Sequence, residues 1–88
     1  MTIESNQYIL KLDNEEMWTM LSALKKEIES GVSHASQFEG MITLKNNRGK
    51  AFNMLESVCN VLNAHYMFDD FVTAIQADID KLVYSKEQ

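Results

Sequence analysis

Several side chains in this sequence have the types that chemistry uses. His65 and Asp69 stand four residues apart, so on one helix they share a face and could offer two ligands to a metal ion. Two ligands do not make a centre, and neither Cys59 nor His34 stands at a motif spacing from them. A half-buried histidine near a helix junction is the plainer reading. Ser33-His34 pairs a hydroxyl with a base, but no strained Gly-x-Ser-x-Gly turn surrounds it and no third member is evident. Glu15-Glu16 and Asp69-Asp70 are carboxylate pairs. Adjacent residues on a helix point about 100° apart, so neither pair converges on one proton. Both pairs are expected at helix starts, where carboxylates suit the dipole and cap free amides. Cys59 falls on an apolar stripe with nothing nearby to activate a thiolate, so it reads as core filler. Gly31, Gly40 and Gly49 are too widely spaced for a nucleotide-binding loop. No catalytic residue, metal centre or cofactor is expected.

Lys45, Arg48 and Lys50 form the one basic cluster, within Lys45-Asn46-Asn47-Arg48-Gly49-Lys50. Asn and Gly favour chain reversal, and exposed amides beside cations can hold a phosphate. A solvated loop is the simpler account. If the chain binds a nucleotide or RNA, this turn is where it does so, with Tyr66 or Tyr84 as stacking candidates.

The elements that would carry these residues are mostly helical. Apolar residues alternate at spacings of four and three through Met17, Leu21, Leu24, Ile28, Gly31, Ala35, Phe38 and Ile42. Asp13 with Glu16 forms a capping box at the start, and Leu12 with Met17 is placed for a hydrophobic staple. Glycines at 31 and 40 each cost a helix about 1 kcal/mol relative to alanine. The seam therefore either continues, kinks or stops at Ser30-Gly31. Beyond the 45–50 turn, Phe52, Leu55, Cys59 and Leu62 repeat the helical spacing. Asn53 with Glu56 could cap that helix. A last helix carrying Phe68, Val72, Ile75, Ile79 and Leu82 restarts or continues near Asp69 or Asp70, and a tail from Ser85 frays. Before the seam, Tyr8-Ile9-Leu10-Lys11-Leu12 reads as a short strand that must pair with another segment or with a second copy.

The expected fold is thus mainly α: an antiparallel helical hairpin or small bundle with one short N-terminal strand. The rival is an α+β domain with a β-hairpin over 41–52 around the same turn. At 88 residues and 45% apolar composition the chain supports a single small domain, residues 1–88, whose core is close to the minimum for independent stability. Self-association would relieve that, and a homodimer is expected. The net charge of −5 argues against broad nucleic-acid contact. A single cysteine, with no apolar span and no basic, apolar leader, points to the reducing cytoplasm and away from the membrane.

The first helix has more apolar width than a narrow seam needs. Met17, Trp18, Met20 and Leu21 are accordingly the candidate anchors for a partner protein, with acidic side chains steering toward a basic target. The expected role is a non-enzymatic regulator or inhibitor that occludes a surface on another protein, of the kind phages encode. The alternative is nucleotide or RNA binding through the basic turn.

Overall fold

A computed structural model of the chain describes residues 2–4 and 9–86. It is mainly helical, in the order β1 (Thr2–Glu4), β2 (Ile9–Lys11), α1 (Asn14–Glu29), α2 (Val32–Ala35), α3 (Met41–Asn47), α4 (Gly49–Val61) and α5 (His65–Lys86). The α+β rival fails, because 41–52 is helical apart from Arg48. The strand expected over 8–12 is present at Ile9–Lys11, and Tyr8 lies outside the described residues. It pairs antiparallel with β1, with Thr2 opposite Lys11 and Glu4 opposite Ile9. Its pairing need is met within the chain, so the strand gives no reason for a second copy.

The start of α1 follows the sequence closely. Glu16 N donates to Asp13 Oδ1 at 2.8 Å, and Asp13 N donates to Glu16 Oε1 at 3.1 Å. Both arms of the capping box are made, satisfying amides that have no partner within the helix. Leu12 and Met17 both pack on the core, as a staple requires.

The seam breaks at Ser30-Gly31. Gly31 N donates to Ile28 O, three residues back, which tightens the chain before α2 resumes with Ala35 N to Gly31 O. The joint is crowded. A Cβ on Gly31 would lie 2.8 Å from Leu44 Cδ1 and 3.3 Å from Arg48 Cγ, so α3 reaches α1 only because this residue has no side chain. After Ala35 the chain turns through 36–40 and leaves by Gly40 at φ +64°, a backbone state that side chains disfavour. This turn rephases the helix. Met17, Leu21, Ile28 and Ala35 are buried, whereas Phe38 and Ile42, nominally on the same seam, are exposed.

The region 45–50 is not a loop. Lys45 lies in the last turn of α3 and Lys50 in the first turn of α4, and only Arg48 (φ −126°, ψ 25°) departs from helix between them. The helix after it begins at Gly49, so Asn53 and Glu56 are interior and form no cap. The break before α5 is an α-helix C-terminal motif that the sequence reading missed. Asn63 takes φ 55°, Ala64 N donates to Cys59 O, and Asn63 N donates to Asn60 O. These are the two bonds of a Schellman motif, with asparagine in the place glycine usually takes. Helix α5 therefore starts at His65, and Asp69 and Asp70 lie inside it. Its backbone stays helical through Lys86, while 87 and 88 lie outside the described residues.

Helix α4 returns along α1, with its first residues beside the C-terminus of α1 through Arg48 and Glu27. Helix α5 folds back on α4, where Phe68 meets Phe52 edge to face at 6.4 Å, and continues onto α2. Leu21, Ile28, Leu44, Leu55, Ile75 and Ile79 form the fully buried centre. The radius of gyration is 14.5 Å, against about 12 Å for a compact chain of this length. Its extents are 48 × 22 × 17 Å.

Candidate functional site

The titratable side chains singled out in the sequence take structural roles. His65 Nδ1 lies 2.7 Å from Asn60 Oδ1 and its Nε2 lies 3.4 Å from Asp69 Oδ1. The shared face of His65 and Asp69 is real, and it ties the start of α5 to the end of α4. Among the described residues, no three His, Cys, Asp or Glu side chains are grouped to hold a metal ion. His34 stacks on Phe38 with ring centroids 4.8 Å apart, and Ser33 O accepts from Ser36 Oγ at 2.8 Å. Glu16 is engaged in the cap, as expected. Asp69 and Asp70 lie in the second turn of α5 and not at its start, a correction that follows from the Schellman motif at Asn63. Cys59 is buried, and that burial pushes its thiol above the ordinary range, against a weaker downward pull from Lys25.

The basic cluster is divided between the end of α3, the joint at Arg48 and the start of α4. Arg48 Nε donates to Glu27 O at 3.1 Å and lies 3.4 Å from both Ser30 Oγ and Glu27 Oε1. Nη1 donates to Asn47 O at 3.2 Å and Nη2 to Ser30 Oγ at 3.4 Å. The guanidinium thus closes the C-terminal end of α1, where orphaned carbonyls need donors. Helix replaces the turn on either side of Arg48, and the start of α4 carries no side-chain cap. Tyr66 and Tyr84 are both exposed on α5 but eighteen residues apart, about 27 Å along its axis, so they cannot form one stacking platform.

The four anchor candidates on α1 separate. Met17 and Leu21 are 6% and 1% exposed and belong to the core, so they are not available to a partner. Trp18 is 52% exposed and Met20 half-buried. Two residues apart, they lie on opposite flanks of the buried stripe, about 160° from each other around the axis. The width read from the sequence is therefore two separate edges. On the Trp18 flank, two turns further along, Lys25 Nζ sits 5.8 Å above the Phe71 ring of α5. On the Met20 flank lies α4, whose Met54 and Val61 are 52% and 53% exposed. Leu24 and Met54 line one open groove of about 690 Å³ together with Glu27, Arg48 and Lys50. Met54 and Val61 stand seven apart, so they share one exposed face of α4 beside its buried stripe.

Asp69, Asp70, Asp78 and Asp80 are all exposed along α5, with Asp69 beside His65, Asp80 bonded to Gln76, and Asp78 near Glu29 and Ser33. No helix among the described residues is long and apolar enough to cross a membrane. In comparisons with protein-family models, with curated proteins and with solved structures, nothing matches the chain. The class that the fold defines is a small, mainly α-helical bundle with a short N-terminal pair of strands.

Proposed function

We propose that this chain is a non-enzymatic protein-binding regulator or inhibitor, working in the reducing cytoplasm by covering a surface on another protein. The observation that carries the reading is Trp18. It is the sole tryptophan, and half of it faces water on an edge of the bundle. Tryptophan is the side chain most enriched among interface anchors. Burying the open half, about 130 Å², would contribute up to about 3 kcal/mol to association. The net charge of −5 would steer the chain toward a basic surface. Of the anchors expected from the sequence, Trp18 alone serves here. Met17 and Leu21 hold the core, and Met20 faces the other edge.

The test is affinity capture by the full chain and by a Trp18→Ala variant of equal helix content. Each captured protein is then purified and titrated against both forms. Loss of about tenfold or more in affinity on truncation is the expected result. Unchanged binding of every partner by the folded variant would overturn the proposal.

A further inference from the structure

The α1–α4 edge has a pattern that the Trp18 edge lacks. Its middle is uncharged and apolar, formed by Met20 and Ala23 on α1 and by Met54 on α4, with Val61 exposed at the end of α4. One end carries Glu15 and Glu16, which line a shallow depression with Met20 and Ala23. The other end carries Lys50, which lines the groove with Leu24 and Met54. Among the described residues Lys50 makes no ion pair, while Arg48 and Glu27 neutralise each other beside it. Glu16 to Glu27 on α1 and Lys50 to Val61 on α4 are both spans of eleven residues, about 16 Å. The two helices run in opposite directions, so the acidic start of α1 and the basic start of α4 lie at opposite ends of one face.

A face that is acidic at one end, basic at the other and apolar between is complementary to itself after a half-turn. We propose that this edge is the interface of a two-fold homodimer. The apolar middles stack across the axis, and Glu15 and Glu16 of one copy face Lys50 of the other. Two-fold pairing uses the same patch on both copies, which is what an end-to-end reversal of charge provides. A foreign partner would need to carry the mirrored pattern, whereas a second copy carries it by construction. Helix α1 is about 24 Å long and α4 about 20 Å, so at ordinary spacing they present roughly 400 Å² per copy, about 800 Å² in all. That size belongs to reversible dimers. The methionines suit it, because their flexible side chains repack between the free and paired states. The proposal is independent of Trp18, which lies on the opposite flank.

Sedimentation equilibrium of the full chain tests it. The wild-type mass should rise with concentration from 10.1 kDa toward twice that value and no further. Met54→Glu, at an exposed helical position, should weaken dimerisation by about tenfold or more. Glu15→Lys and Lys50→Glu should each weaken it, and the double reversal should restore it to within about threefold of wild type. Glu15 is chosen over Glu16 because Glu16 also serves the cap. Circular dichroism confirms that each variant keeps its helix content, and Trp18→Ala should dimerise like wild type. A wild type that stays monomeric to about 1 mM would overturn the proposal. So would a dimer indifferent to Met54→Glu, or a double reversal weaker than either single change.

Discussion

Replacing Gly31 with alanine tests the packing logic at the joint between α1 and α2. A new Cβ would sit 2.8 Å from Leu44 Cδ1 and 3.3 Å from Arg48 Cγ. Leu44 is fully buried, so its methyl cannot swing into solvent and must push against the core. Overpacking of this kind costs about 1–3 kcal/mol. Part is offset, because Gly31 has φ −93° and ψ −6°, which alanine accepts, and loss of glycine freedom in the unfolded chain returns about 0.4–1 kcal/mol. The net expectation is a loss of about 1–2 kcal/mol, or a fall in Tm of roughly 5–15 °C for a domain of this size. Gly49→Ala is the control. Nothing lies within 4 Å of its Cβ position, so the same chemical change should stabilise by about 0.4–1 kcal/mol. Denaturant unfolding of both variants measures the difference. A double-mutant cycle with Leu44→Ala should show coupling, because the vacated space accepts the added methyl. If Gly31→Ala stabilises as much as Gly49→Ala, or if its cost simply adds to that of Leu44→Ala, close approach is not what the glycine is for.

Asp13→Ala should cost about 1 kcal/mol by freeing the Glu16 amide, and Asp13→Ser should recover most of it; equal midpoints for all three would contradict the cap. Arg48→Ala should cost about 1–2 kcal/mol. Most of that should persist in high salt, since the bonds to Glu27 O and Ser30 Oγ matter more than the exposed ion pair with Glu27. Cys59 should resist alkylation in the native state at neutral pH and react once the chain unfolds, as mass spectrometry would follow. Its raised thiol pKa fixes the sign of the pH effect. The contribution is whole below the unfolded thiol's pKa and is lost as pH rises toward the folded value, so Cys59→Ala should flatten the alkaline decline in stability.

Residues whose signal is local were legible. Asp13 and Glu16 specify a cap with no help from the rest of the chain, and Met17, Leu21 and Ile28 mark a buried stripe by spacing alone. Legibility ended where distant segments meet. At Gly31 the break brings Leu44 and Arg48 against the backbone from a distant segment, which periodicity cannot register. Once the chain turns at 36–40, Phe38 and Ile42 keep the spacing of the seam but leave its face. Asn46, Asn47 and Gly49 have turn chemistry, yet α4 packing on α1 holds them helical and leaves Arg48 alone to bend. The exposed tryptophan was legible as surplus apolar width, and its surroundings were not. One-dimensional adjacency joined it to Met17, Met20 and Leu21, although a helix sends those four side chains to the core and to two opposite edges.

The outline of the molecule has a hydrodynamic consequence. A body 48 Å long and only 22 and 17 Å across drags more in solution than a sphere of equal mass. A single copy should therefore leave a gel-filtration column early, imitating a larger protein, and tumble at different rates about its long and short axes. Pairing two such rods side by side adds breadth without length, so doubling the mass should move the elution position less than globular standards suggest. Elution volume and copy number are thus decoupled in this molecule.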